Sequence, residues 1–386
     1  MFLDPLFKLM SEKQASDLFL TAGAPIQIKI NGTVMPLNNQ MLDPAAVKRI
    51  AYEIMTEEQV ARFEKDWEIN FAVGRPQLGS FRVNVFRQRG ATAAVVRFVK
   101  PDVPTLEQLR LPQMFGDLVM EKLGLILVVG STGSGKSTTL ASMIESRNQR
   151  RTGHILTIED PIEYVFKHKK SIVNQREIGM DTTSYDAALT SAMREAPDLL
   201  VIGEIRDRPT LQSAMLFSQT GHLCLSTLHA NNSYHALNRI INFFPREARE
   251  GLLADLAVSL KAVISQRLVR TKDKRRIPAI EILLNTPHIA ELIKTGEIPE
   301  IKEAMEQSLA QGSQTFEQAL YDLYVNGEIT LDEAMTNSDS PTNLHWLINN
   351  SGKLVRPQDT ARSAPDPVSD PQSSDLSSIK LNLDIM

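Results

Sequence analysis

The sequence predicts an α/β protein of two or three domains, and three observations carry that reading. Strand-like and helix-like segments alternate from Leu123 to about Pro278, the order that gives a parallel sheet with helices on both faces. The first hundred residues mix alternating β-rich runs with helical spacing, a separate α/β unit. The chain has 386 residues, more than a single module of roughly 150.

Composition narrows the class. Hydrophobic residues at 42% and charged residues at 23% are ordinary globular usage, so most of the chain can bury a core. Lys and Arg number 42 against 46 Asp and Glu, a net charge of −4, too balanced for a chain that mainly coats nucleic acid. The single cysteine, Cys224, excludes an internal disulfide framework and a zinc site built from several cysteines. The start, Met1 to Lys8, lacks a signal peptide's cationic and apolar regions, and Asp4-Pro5 interrupts it. The apolar run Leu123 to Gly130 is 8 residues, short of the roughly 18 that span a bilayer. A cytoplasmic, reducing location is expected.

Element by element, Ile26, Ile28 and Ile30 alternate with polar residues, and Asn31-Gly32 then precedes Thr33 to Leu37, a strand, tight turn and strand. Residues 44 to 65 read as helical. Phe81, Val83 and Val85 alternate again, Gln88-Arg89-Gly90 turns, and Ala93 to Val99 is the return strand. Two prolines in Lys100 to Pro104 mark a linker, set at 101–112. Strands follow at Leu125 to Val129, Ile155 to Ile158, Leu199 to Ile202 and Leu223 to Thr227, with helices from Gly135, from Tyr185 to Ala196, and near 209 to 219. Residues 286 to 349 are helical throughout in pattern: Thr286-Pro287 and Ser340-Pro341 place a capping hydroxyl before proline, Thr330 with Glu333 reads as a capping box, and Phe316, Leu320, Leu323 and Tyr324 form a core-facing stripe. Beyond Ser351 the chain turns rich in Ser, Asp and Pro with no aromatic residue, so 351–386 is expected to be a disordered tail.

One motif decides the chemistry. Gly130-Ser131-Thr132-Gly133-Ser134-Gly135-Lys136-Ser137, followed by Thr138, fits the phosphate-binding loop, and it sits between an apolar strand and helix formers as that loop requires. Glycines let backbone N–H groups close around phosphate oxygens, Lys136 neutralises the β and γ phosphates, and the Ser137 hydroxyl is a ligand for Mg²⁺. The expected cofactors are therefore ATP and Mg²⁺. Leu199 to Ile202 delivers Glu204 to the carboxyl edge of the sheet, the place of the acid that reaches the metal; Gly203 stands where most such enzymes have aspartate, so Mg²⁺ is expected to reach Glu204 through water. Ile155 to Ile158 feeds Glu159-Asp160-Pro161-Ile162-Glu163, where Glu163 is expected to act as base or water-positioner with Glu159 in support. His222 and His229 bracket a short strand. They read as γ-phosphate sensors, with a buried structural role and zinc as the alternatives.

Together these four ordered segments, the phosphate loop, Ile155 to Glu163, the run ending Gly203-Glu204-Ile-Arg-Asp207 and Thr220 to His229, resemble the type II/IV secretion ATPases, and within them the PilT/PilU family of type IV pilus retraction ATPases. Thr227 to Asn232, Phe243 to Pro245 and Ile282 to Pro287 are more similar to the PilU branch. The resemblance implies a PAS-like domain over 1–100, a RecA-like ATPase core over 113–285, a helical C-terminal subdomain over 286–350, and a hexameric ring that converts ATP hydrolysis into pilus depolymerisation, peripheral at the inner membrane beside a PilT-like motor subunit and the pilus platform protein. Extension relatives usually carry a four-cysteine zinc module, which one cysteine cannot form. Where many relatives have a basic residue before Phe-Arg-Val-Asn, this chain has Ser80.

Two readings remain for the basic segment. Arg75, Arg82, Arg87, Arg89, Arg97 and Lys100 put six positive charges and no negative one between 75 and 100, as in a DNA translocase or helicase. Alternatively a tight turn on Arg89-Gly90 sets Arg82 opposite Arg97. Opposed like charges favour an anion above them, and the family assigns matching positions an arginine-finger role at the γ-phosphate.

Overall fold

The structure, a computed structural model, describes residues 1–30, 32–76, 78–99, 102–307 and 310–350. Its described residues divide into two compact units, one holding residues 1–70, 83–97 and 349–350, the other 71–82 and 98–348. The expected disordered tail, and Lys100 and Pro101 of the linker region, lie outside the described residues.

The first sheet is built from β1 (Asp17–Thr21), β2 (Gln27–Ile30), β3 (Thr33–Pro36), β4 (Glu68–Arg75), β5 (Gly79–Gln88) and β6 (Ala91–Val99), in the order β3-β2-β1-β6-β5-β4. The expected hairpin is present: β2 and β3 pair antiparallel with Ile30 opposite Thr33. Its Asn31 lies outside the described residues. The second expected turn is also present. Arg89 (φ 49°) and Gly90 (φ 79°) are both left-handed, the geometry of a two-residue loop whose twist matches the strands it joins. The helical run 44 to 65 is two helices, Pro44–Glu53 and Glu57–Asp66, because Thr56 starts a new one: its hydroxyl accepts the Gln59 N–H while the Gln59 side chain accepts the Thr56 N–H.

The second sheet contains β7 (Gly124–Val129), β8 (Gly153–Glu159), β9 (Ser171–Glu177), β10 (Leu199–Ile202), β11 (Leu223–Leu228), β12 (Leu260–Arg270) and β13 (Arg276–Leu284), in the order β13-β12-β7-β11-β10-β8-β9. All neighbours are parallel except β12 and β13, an antiparallel hairpin. The expectation of a parallel sheet holds for six strands and is corrected at the seventh. Every residue of β7 is buried, which explains its unbroken apolar run: Leu125, Leu127 and Val129 face one core with the helices Tyr185–Ala192, Arg208–Gln219 and Arg249–Ser259, while Ile126 and Val128 face another with helix Lys136–Arg150. Burying each such side chain contributes roughly 1.5–3 kcal/mol.

Three local expectations are corrected. The helix from Tyr185 ends at Ala192 rather than Ala196, which is itself left-handed at φ 47°. Thr330 caps its helix by accepting the Glu333 N–H, but the box is not closed, because the Glu333 carboxylate accepts the Arg270 N–H at 2.8 Å instead. The segment after β13 is not purely helical, since Gln314 forms a β-bridge with Ile282. Thr286 and Ser340 do cap as expected, and Phe316 and Leu320 lie buried with Val269 and Ile277 while Leu323 and Tyr324 pack against them.

Candidate active site

The carboxyl ends of β7, β8, β10 and β11 bring the chemistry to one cleft. β7 runs into Gly130, where a Cβ would stand 2.3 Å from Ser134 Oγ and 2.6 Å from the Gln266 carbonyl, so only glycine fits. Gly135 (φ 90°) turns the chain into helix Lys136–Arg150. Lys136 Nζ donates to the carbonyls of Gly130 (3.0 Å) and Ser131 (2.9 Å), and burial pushes its pKa down against the pull of Glu204 and Glu163. Ser137 Oγ donates to Glu163 Oε1 at 3.1 Å, and Thr138 Oγ1 lies 3.1 Å from the Tyr164 hydroxyl.

Three glutamate carboxylates line the cleft with that lysine in different environments. Glu159 is half-buried; desolvation pushes its pKa up even though Thr157 (2.6 Å) and Gln175 (3.1 Å) donate to it. Glu163 accepts from Ser137. Glu204 accepts from Arg206 Nε at 2.8 Å and stands 3.5 Å from His229 Nε2. Burial, then the charge of Lys136, lowers the His229 pKa, outweighing Glu204. Thr132, Gly133, Lys136, Ser137, Glu159, Glu163, Glu204 and His229 all line this one cleft.

His222 does not join them. It precedes β11, beside the start of β7, where its carbonyl accepts the Gly124 N–H. The phosphate loop follows the far end of β7, about 20 Å away at roughly 3.3 Å per residue over a six-residue strand. The same separation removes a zinc pair made with His229, and among the described residues no group of three or more His, Cys, Asp or Glu could hold a metal ion alone. Cys224 between them is buried and its thiol pKa is pushed up.

The two arginines have separate partners. Arg97 sits opposite Asp17 in the β1–β6 register and donates to it at 2.9 Å. Arg82 pairs with Glu177, whose carboxylate also accepts the Ile162 N–H at 3.1 Å, one residue from Glu163. Each of these arginines thus has a carboxylate partner, where an anion above the two was expected. Arg87 pairs likewise with Glu64. Among the described residues Arg82, Arg87 and Arg97 of the basic segment are each paired with a carboxylate, and the DNA-translocase reading loses its support.

Two glutamines escaped the sequence reading. Gln266 of β12, buried, donates to the Ser134 carbonyl (2.7 Å) and accepts from Thr139 (2.7 Å), fixing the phosphate loop. Gln175 of β9 joins Glu159 to the Tyr164 carbonyl (2.8 Å) and the Phe166 N–H (2.9 Å), holding the loop that carries Glu163. A second cleft adjoins the loop, lined by Gln108, Arg110, Gly135, Thr138, Leu268 and Arg276 among others.

A family described as "Type II/IV secretion system protein" matches residues 1–336, and the chain is 48% identical over 349 residues, 90% of its own length and 91% of the relative's, to the "Type IV pilus ATPase PilU" of Pseudomonas aeruginosa. The chain belongs to this family, in its PilT/PilU branch. The "Type IV pilus retractation ATPase PilT" of the same organism is 38% identical, covering 89% of this chain and all of that one. Among solved structures, the pilus retraction motor PilT with bound ADP superposes with a TM-score of 0.83 at 42% identity over 90% of this chain and 99% of that one. The Legionella pneumophila ATPase DotB gives 0.72 at 26% identity over 87% and 94%.

The residues present fit a nucleotide phosphate and Mg²⁺. Ser134 Oγ is buried with no hydrogen-bond partner among the described residues, a donor facing the cradle. The Ser137 hydroxyl and the Glu204 carboxylate are hard oxygen donors of the kind Mg²⁺ takes alongside phosphate oxygens and water. No helix among the described residues is long and apolar enough to cross a membrane.

Proposed function

We propose that the chain is an ATP-hydrolysing motor for type IV pilus retraction, of the PilU kind. It works as a homo-hexamer, peripheral at the inner membrane, beside a PilT-like motor subunit and against the pilus platform protein. The observation that carries this reading is the convergence of Lys136, Ser137, Glu163, Glu204 and His229 in one cleft.

The phosphate loop, from Gly130 to Thr138, binds the triphosphate through its N–H groups, and Lys136 moves from the loop carbonyls to the β and γ phosphates. Ser137 and, through water, Glu204 would hold Mg²⁺, which would supply charge that offsets the phosphates. Glu163, which accepts from the Ser137 hydroxyl, orients the attacking water and accepts its proton. Glu159, its pKa raised by burial, shapes the floor beside it. His229, uncharged at neutral pH, reads the γ-phosphate next to Glu204. Arg82 and Arg97 act as fingers after exchanging their carboxylate partners for phosphate. The second cleft takes the base, with Leu268 as its apolar wall.

The test is pilus retraction in a deletion strain complemented with wild type or Lys136→Ala. Wild type restores retraction and the variant does not; equal restoration by both would overturn the proposal.

A further inference from the structure

Three consecutive residues of β12 reach three different neighbours. Alternation puts Gln266 on one face, toward the phosphate loop, and Ser265 and Arg267 on the other. Ser265 Oγ donates at 2.9 Å to Glu281 Oε1, which also accepts the backbone N–H and hydroxyl of Ser233, each at 2.7 Å. Arg267 donates to the Asp339 carboxylate, to the Asn337 carbonyl and, at 3.1 Å, to the Asn231 carbonyl, with its guanidinium 4.0 Å above the Phe316 ring. The other oxygen of Asp339 accepts from Asn232 Nδ2 at 2.7 Å.

Residues 231, 232 and 233 are therefore each pinned by a polar contact, and only Ala230 separates them from His229. The pins reach β12, β13 and, through Asp339, the mostly helical segment beyond β13. A strand-to-helix connection needs only its cap, which Asn232 already supplies by accepting the His235 N–H at 2.8 Å. The excess of fixed contacts falls where position matters most. His229 Nε2 lies 3.5 Å from Glu204 Oε1, just beyond the usual N–H···O range of about 2.7–3.2 Å, so a shift of roughly half an ångström makes or breaks that bond.

We infer that Arg267 and Asp339 are positioning residues for His229, a clamp through which the segment after β13 sets that imidazole against Glu204. The inference rests on the ATPase reading above. Arg267 suits the task because its planar fork meets a carboxylate and two carbonyls at once, which a lysine cannot do. Coupling of this kind is reciprocal. A change at the γ-phosphate that moves His229 therefore pulls on Asp339 and the helices around it, and the clamp carries the state of the nucleotide to the far end of the chain.

The test is a double-mutant cycle on the assembled full-length protein, comparing wild type, Asp339→Ala, His229→Ala and the double variant by single-turnover as well as steady-state hydrolysis. Asp339→Ala is expected to lower kcat by about ten- to a hundredfold, the cost of misplacing a reacting group by about an ångström, with KM for ATP within about twofold of wild type. In the His229→Ala background the same change is expected to cost less than about twofold, as coupled residues require. Asp339→Asn, which keeps one acceptor oxygen, is expected to recover part of the rate and takes the place of the alanine variant if that one does not fold. An unchanged kcat, a raised KM in its place, or an equal loss in both backgrounds overturns the clamp while leaving the ATPase reading standing. An inactive wild type overturns both.

Discussion

Gln266→Ala removes a side chain that ties β12 by hydrogen bonds to the phosphate loop and the helix it opens. Gln266 is 3% exposed, and its two partners, the Ser134 carbonyl and the Thr139 hydroxyl, belong to residues that are 4% and 1% exposed. Neither group can turn to bulk water without opening the core. Leaving a buried polar group unpaired costs roughly 1–3 kcal/mol, so two orphans together cost about 2–4 kcal/mol if water or relaxation recovers part of the loss. The amide also lies flush against Gly135, with Nε2 2.7 Å from where a Cβ would be, so its loss frees the turn into helix Lys136–Arg150. A loop that must then order on binding is expected to weaken ATP affinity by about tenfold, about 1.4 kcal/mol. The assay is urea unfolding of the full-length variant beside an ATP titration. Gln266→Leu combined with Thr139→Val, which removes one orphan, is expected to regain about 1 kcal/mol of that loss. A Gln266→Ala protein within about 0.5 kcal/mol of wild type, with unchanged ATP affinity, would show that the amide does not fix the loop.

Glu163→Gln is expected to bind ATP normally and to hydrolyse it roughly 10² to 10⁴ times more slowly, measured by nucleotide binding and single turnover; normal hydrolysis there with loss in Glu204→Gln would exchange the two roles. Arg82→Ala and Arg97→Ala are each expected to cost roughly 10³ to 10⁵ in turnover while ATP binding and assembly persist, and wild-type rates in the assembled ring would leave the arginines only their pairing with Glu177 and Asp17. Burial raises the Glu281 pKa, so the folded chain holds that proton more tightly than the unfolded chain does. Its contribution is therefore full below the unfolded value near 4.5 and declines as pH rises through the folded one. Glu281→Gln should gain stability relative to wild type as pH rises above about 4.5, read as the difference in urea midpoints, whereas a difference that stays constant with pH would contradict the raised pKa.

What the sequence disclosed was what is local in the chain. The phosphate loop with its flanking strand and helix, the Asn31-Gly32 hairpin and the Arg89-Gly90 turn are each set by a few adjacent residues whose backbone demands are specific. Glu163 and Glu204 were legible because each follows an apolar strand. Gln266 was not, since a polar residue within a β run carries no local signal, and its partners lie 127 and 132 residues away. β12 was hidden for a related reason: it begins at Leu260 directly from the helix ending at Ser259, with no turn residue between them. His222 was grouped with His229 by sequence proximity, whereas a strand separates residues at its two ends by its full length. The carboxylate partners of Arg82 and Arg97 lie 95 and 80 residues away, out of reach of a reading by segments.

The most direct measurement is Mg²⁺-dependent ATP turnover by the purified full-length protein, wild type against Lys136→Ala, with circular dichroism of both. Lys136 supplies charge that a transferring phosphoryl group needs and little packing that the sheet needs. Hydrolysis by wild type, its loss in the variant and superimposable spectra are the expected result; undiminished turnover by a folded Lys136→Ala protein would contradict the assignment of this cleft as the hydrolytic site.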